Sequence, residues 1–285
     1  MKEITIISGK GGSGKTSLTG ALRLLASPLV SVDADVDAPN LSLIAGAATR
    51  LEEHEFIASS VATVDSEKCN GCNHCGQLCR YGAISAGRVD PLRCEGCGLC
   101  QLACPNQAVT MEEVESGRWF VSETQSGPLV HACLHPGAEN SGKLVTAVRR
   151  RARELATAQG LALILADGPP GIGCPVMAAL TGSDLALLVT EPSPSGLHDL
   201  ERVWRVCQHF RIQAQVVVNK SDLSPENTER IEAFAKEEGM ALAGRIPFDR
   251  AVTAAVSAGA PLNPRQTGKT ARAIRQIWEK ISQDI

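Results

Sequence analysis

Between Gly9 and Thr16 the chain reads GKGGSGKT, which is the spacing G-x-x-x-x-G-K-[ST]. Glycines there let the backbone turn its N–H groups toward a phosphoryl group, and the positive end of the following helix adds to the attraction. On this reading the amides of Gly11, Gly12, Ser13, Gly14, Lys15 and Thr16 cradle phosphates, with Ser17 beside them at the helix start. Lys15 bridges the β- and γ-phosphates, and the Thr16 hydroxyl binds Mg²⁺. Lys10, in the middle of the same loop, is a second cation that the phosphate pattern does not need.

A second chemical pattern occupies the region from Val64 to Thr110. VDSEKCNGCNHCGQLCRYGAIS recurs 25 positions later as VDPLRCEGCGLCQLACPNQAVT. Each copy holds C-x2-C-x2-C-x3-C, the spacing of a bacterial-type ferredoxin carrying two [4Fe–4S] clusters. Three close cysteines reach three irons of one cube, and the fourth serves the other cube. Cys69, Cys72, Cys75 and Cys104 are therefore expected to hold one cluster, and Cys94, Cys97, Cys100 and Cys79 the other. Pro105 follows the last cysteine of the second copy, whereas Arg80 stands there in the first. The competing readings are zinc ligands or free thiols, and the duplicated four-cysteine pattern speaks against both.

These residues need a frame. A chain of 285 residues can form one large α/β domain or two modest ones. EITIIS and PLVSVDAD read as buried strands, as do LALILADGPPG, SDLALLVTEPS, IQAQVVVNKSD and MALAGRIPFD later in the chain. Helical stretches lie between them, at Gly14–Leu25, Gly196–Phe210 and Pro225–Glu238. This beat predicts an α/β fold, a parallel P-loop NTPase-type sheet with helices on both faces and ligands at the carboxyl ends of the strands. The beat stops at the cysteine repeat, which predicts a small inserted α+β ferredoxin-like domain over 61–114, between ATPase parts at 1–60 and 115–285. A net charge of −3 gives no sign of a nucleic-acid partner. The opening Met1-Lys2-Glu3 and the shortness of the apolar runs predict neither signal peptide nor membrane span, and eleven cysteines then suggest metal in a cytoplasmic protein.

GKGGSGKT with its early lysine resembles the deviant Walker A motif of the MinD/ParA/Mrp group of ATPases, which includes the nitrogenase iron protein. VDADVDAPNL resembles the group's first switch, and LADGPPGIG its Walker B and second switch. Members with a ferredoxin module spliced into the ATPase domain are closer still, and the resemblance covers essentially the whole chain. It implies ATP as substrate and a nucleotide-dependent homodimer with facing active sites. Asp35 would orient the attacking water and Asp167 would hold Mg²⁺ through water, with Asp33 a weaker candidate; a helix cap is the plain alternative for each. Lys10 would reach across the dimer to the developing charge. Asn219 and the loop at Pro247 would read adenine, although NKSD at Asn219–Asp222 also mimics the guanine-reading motif of GTPases.

Three cysteines lie outside the repeat. Cys207 reads as a core residue. Cys174 follows Asp167 at the offset where the nitrogenase iron protein places a subunit-bridging cluster ligand, and Cys133 in HACLH, with His131 and His135, is the matching candidate for a metal site across the dimer. Ile274, Ile277, Trp278 and Ile281 form a C-terminal apolar stripe that suits packing on the sheet better than a membrane. RRRAR at Arg149–Arg153 reads as a solvated helix face. The function expected is ATP-gated electron transfer to a redox partner or client metalloprotein. The alternatives are iron–sulfur or metallocofactor assembly, and a MinD/ParA-like spatial organiser with structural clusters.

Overall fold

The computed structural model describes residues 1–46, 48–138 and 142–284. The chain forms two compact units, Met1–Glu53 with Trp119–Cys133 and Asn140–Ile285, and His54–Arg118 with Leu134–Glu139. The first unit opens with β1 (Lys2–Ser8), α1 (Lys15–Ala26), β2 (Val30–Asp33) and α2 (Leu41–Ile44). β3 (Thr49–Val64) carries the chain out to α3 (His74–Leu78), β4 (Ile84–Ser85), β5 (Arg88–Val89) and α4 (Leu99–Ala103), and β6 (Val109–Thr124) carries it back. There follow β7 (Gly127–Leu134), α5 (Lys143–Gln159), β8 (Leu163–Pro170), α6 (Cys174–Leu180), β9 (Leu185–Thr190) and α7 (Pro194–Phe210). The last elements are β10 (Gln213–Asn219), α8 (Pro225–Glu237), β11 (Ala241–Ile246), α9 (Arg250–Ser257) and α10 (Lys269–Ile281).

Among the described residues the main sheet runs β11-β10-β9-β1-β8-β2-β7-β6-β3. β1 lies parallel to β8 on one side and to β9 on the other. The chain winds outward from β1 first toward β2 and later toward β9, β10 and β11. The carboxyl end of β1 is therefore the switch point, where an open α/β sheet leaves a crevice for ligands.

Strands of this kind are apolar on both faces because helices cover both. Ile4 and Ile6 pack with Leu18 and Leu22 of α1 and with Ile274, Ile277 and Ile281 of α10. Ile7, pointing the other way, packs with Leu180 of α6 and with Leu200 and Val203 of α7. Each such side chain, fully buried, contributes roughly 1.5–3 kcal/mol. The C-terminal stripe is thus part of the core, and among the described residues no helix is long and apolar enough to cross a membrane. Cys207 is buried in the second cluster, where burial pushes its thiol up to about 12 and keeps it inert.

The basic run on α5 is not the solvated face that its composition suggests. Arg150 is outward, but Arg149 is 4% exposed. Its guanidinium meets Glu3 at 2.6 Å and donates to the carbonyls of Ala178 and Thr181 at the end of α6. Arg153 pairs with the same buried Glu3 at 2.7 Å. A charge run shows its sign but not which member a distant carboxylate draws inward.

β3 and β6 are longer than anything the sequence reading assigned there. TRLEEHEFIASSVATV is largely exposed along its length, so it lacks the apolar run that marks the other strands. In the second unit the repeat becomes two matching halves. α3 follows Asn73 and α4 follows Gly98, both left-handed (φ 57° and 72°), and the helices close on Cys79 and Cys104. Ala62, Ile84 and Val109 form the small core against which Cys75, Cys79, Cys94, Cys100 and Cys104 pack.

Candidate functional site

β1 delivers the phosphate loop to the switch point. Ser8 donates its hydroxyl to the Lys10 carbonyl at 2.7 Å, which bends the chain straight after the strand. Gly14 caps α1 in the left-handed region (φ 93°), and a Cβ there would lie 2.3 Å from Asn219 Nδ2. Only glycine meets both demands. No side chain caps α1 and its first turn carries no acid, so its N–H groups are open to an anion. A cleft of about 640 Å³ is lined by Gly11, Gly12, Gly14, Lys15, Thr16 and Ser17 on one side and Asp35 on another, a size that suits a small-molecule ligand.

Lys15 Nζ lies 2.7 Å from Asp35 Oδ2, and both side chains are largely buried. Burial by itself would lower the lysine's pKa, but Asp167, Asp35 and Asp33 override it and hold the ammonium above its ordinary value. Asp167, fully buried on β8, accepts from the Thr19 hydroxyl at 3.0 Å through Oδ1. Its Oδ2 is buried without a hydrogen-bond partner among the described residues, as is Ser13 Oγ. Burial pushes its carboxyl up, against the pull of Lys15, Thr16 and Thr19. Three buried or nearly buried acids share one ammonium at this end of the sheet, so a further cation would be favoured there. The unsatisfied Asp167 oxygen beside Thr16 fits a hydrated Mg²⁺.

Asp33 has a different job. Its Oδ1 accepts from the Asp35 amide at 3.2 Å and its Oδ2 from the Leu41 amide at 2.9 Å. It pins the loop that carries Asp35, while burial and Asp167 push its own pKa well up.

Lys10 is not free to reach outward. Its Nζ lies 2.5 Å from Glu191 and donates to Ser195 Oγ at 3.1 Å. Lys220 holds the other Glu191 oxygen at 3.2 Å and donates to the Gly12 carbonyl at 3.2 Å. The sequence reading missed Glu191, Ser195 and Lys220 as partners of the loop. The signal was present, because Glu191 follows β9 as Asp35 follows β2, at the strand ends where such folds keep their chemistry.

Asn219 and Pro247 line a cleft of about 270 Å³ with Gly12, Gly14 and Ser17. Asn219 donates to the Ser13 carbonyl at 2.7 Å, so it braces the loop. Asp222 accepts from the Phe248 amide at 2.6 Å through Oδ1, which ties it to the loop at Pro247.

The eight repeat cysteines divide into two groups. Cys69, Cys72, Cys75 and Cys104 line one cavity, and Cys79, Cys94, Cys97 and Cys100 line another. Each copy repeats one hydrogen bond to sulfur, Ala83 N to Cys79 at 3.4 Å and Ala108 N to Cys104 at 3.3 Å. Burial works to raise the Cys79 pKa, but the amides of Ala83, Tyr81, Ile84 and Gly82 outweigh it and lower it; at Cys104 the Ala108 amide leads the same effect, whereas burial raises Cys75 and Cys100. Such N–H groups favour the thiolate, the form that binds iron. Among the described residues no three His, Cys, Asp or Glu side chains converge on a point as ligands of a single ion would. A cube asks less, since each thiolate meets a different iron. His131 is taken by Phe120, stacked at 5.1 Å, and by Ser122 at 3.2 Å; burial and Arg50 lower its pKa to about 4. His135 meets Glu115 at 3.0 Å, and Cys133 and Cys174 are both exposed.

Residues 4–262 match the family model described as the CobQ/CobB/MinD/ParA nucleotide binding domain. An uncharacterized protein of Methanocaldococcus jannaschii is 31% identical over 99% of this chain and 97% of its own length. The cell division ATPase MinD of Pyrococcus furiosus shares the fold at a TM-score of 0.61 and 21% identity, covering 100% of this chain and 99% of that one. The septum site-determining protein MinD of Pyrococcus horikoshii, solved with Mg-ADP, does so at 0.59 and 20%, covering 99% and 96%. The chain belongs to the CobQ/CobB/MinD/ParA nucleotide-binding family.

Proposed function

We propose that this ATPase couples nucleotide-dependent dimerisation to electron delivery, using two [4Fe–4S] clusters held by the two cysteine quartets. The observation that carries the reading is one chain with both a complete phosphate loop and eight cysteines parted into two fours. When bound, the clusters supply one-electron storage. A low-potential protein donor would load them, and a redox partner or client metalloprotein would take the electron.

The chain's own residues suggest how ATP enters the account. Lys15 neutralises Asp35. Arriving phosphate competes for the ammonium, so Asp35 is released to orient water and the loop after β2 is freed to move. Asp167 and Thr16 would hold the Mg²⁺, as the Mg-ADP complex of the Pyrococcus horikoshii relative supports. The same loop runs through α2 into β3, which leads to the cysteine unit. That continuity motivates the coupling.

Lys10 must leave Glu191 before it can serve a facing active site. The pair is partly exposed, so it contributes no more than about 1 kcal/mol. A cation supplied in trans contributes about 10³–10⁵ in rate. Glu191 therefore parks Lys10 rather than locking it. Glu191→Gln is expected to change steady-state hydrolysis by no more than about fivefold. A change of a hundredfold in that assay would give Glu191 a larger role.

Coupling is measured by nucleotide affinity. Titration calorimetry with a nonhydrolysable ATP analogue should give different affinities for oxidised and dithionite-reduced protein, because coupling between two sites is reciprocal. Equal affinities would leave ATPase and cysteine unit independent. Assembly of iron–sulfur or other metallocofactors is the second reading, and the exposed Cys133 and Cys174 favour it as thiols outside the quartets.

A further inference from the structure

The repeat provides its own control. Shifted by 25 positions, His74 matches Leu99, Gln77 matches Leu102, Ala103 matches Leu78 and Asn106 matches Tyr81. Around Cys69, Cys72, Cys75 and Cys104 the cavity lining mixes Asn70, Asn73, His74 and Asn106 with Val64, Pro105 and Val109. Around Cys79, Cys94, Cys97 and Cys100 it contains Leu78, Tyr81 and Leu99. These apolar residues face solvent, at 38%, 42% and 46% exposure. Leu102, one turn along α4 from Leu99, is 86% exposed.

Packing does not require this. The first copy builds the same helix with His74 and Gln77 at the matching places, so the helix itself does not require leucine there. Clustered exposed apolar side chains mark a surface that another molecule covers. Two charged groups frame the patch. Arg80, standing where the second copy has proline, lies 5.7 Å from the Tyr81 ring centre and has no ion-pair partner among the described residues. Glu95 lines the same cavity and is exposed.

We propose that Leu78, Tyr81, Leu99 and Leu102 form the docking surface for a redox partner protein, which meets them with an apolar patch, Arg80 with a carboxylate and Glu95 with a basic group. This rests on the two-cluster reading. A [4Fe–4S] group that Cys79, Cys94, Cys97 and Cys100 would hold would, when reduced, give one electron to a one-electron acceptor in the partner. No bond or proton is exchanged. Electron-transfer encounters bury little area, which a patch of four apolar side chains suits. The quartet of Cys69, Cys72, Cys75 and Cys104 is then left for loading by the donor.

The test places the photo-crosslinker benzoylphenylalanine at Leu102, and separately at Gln77, in the full chain expressed in its source organism. A redox protein should be captured from Leu102 and not from Gln77. Once purified, it should oxidise the reduced holoprotein, and Leu102→Gln should slow that oxidation at least tenfold. Iron content, the EPR signal and the rate of oxidation by ferricyanide should stay as in the parent. Leu102→Glu, which keeps the same distance from the ligands, should slow it at least as much. Equal capture at both positions, capture of only a second copy, no capture, or unchanged oxidation by the captured protein would overturn the proposal. A parent holding fewer than two cubes' worth of iron fails the two-cluster reading instead, and iron analysis shows that separately.

Discussion

Protein purified without oxygen should carry about eight irons and eight acid-labile sulfides per chain, because two [4Fe–4S] groups require that many. The crossed quartets make the sharper prediction. Cys104 lines the cavity of Cys69, Cys72 and Cys75, so Cys104→Ser should damage the cluster of the first triplet while leaving that of Cys94, Cys97 and Cys100. Cys79→Ser should do the reverse. Each variant should fall toward about half the iron, with the loss read by EPR as one signal of two. Iron saturating near four in the parent, or zinc in place of iron, would contradict the two-cluster assignment.

The largest effects on turnover should come from the two lysines, and they should differ in kind. Lys15 is buried at the head of α1 and answers three carboxylates. Lys15→Ala removes the cation facing the phosphates and leaves those carboxylates to repel them, so nucleotide affinity itself should collapse. Lys10 touches no carboxylate of that group, only Glu191 at the rim. Lys10→Ala should bind ATP but lose hydrolysis by about 10³-fold or more, the magnitude of a cation acting in trans, and should lose nucleotide-dependent dimerisation. Mixing Lys10→Ala with Asp35→Ala protein tests the geometry. In a mixed dimer one site carries both defects and the other neither, so activity should partly return. A mixture as inactive as its parents, with dimers confirmed by light scattering, would mean that Lys10 does not act across an interface.

Much of this was legible in the chain because its signals are local. GKGGSGKT fixes a loop, a cap and a helix start within eight residues, and the apolar runs before Asp35, Asp167 and Asn219 announce strands that end in chemistry. What stayed hidden depends on residues far apart in sequence. Glu191 holds Lys10 from 181 positions away, and Glu3 draws Arg149 inward from 146. Asp33 and Asp35 look alike beside β2, yet one accepts backbone amides and the other meets Lys15. The direction of each side chain, which a sequence does not print, separates them. β3 escaped for another reason, since a largely exposed strand carries no buried stripe to betray it.

The measurement closest to the central claim is an anaerobic redox titration of the holoprotein, followed by EPR, with and without a nonhydrolysable ATP analogue and Mg²⁺. Ligand binding can move a midpoint potential only if it favours one oxidation state over the other. The analogue should shift the potential of at least one cluster, and Lys15→Ala, which cannot hold the nucleotide, should abolish the shift. Identical potentials in both titrations, with nucleotide binding verified in the same samples, would contradict it.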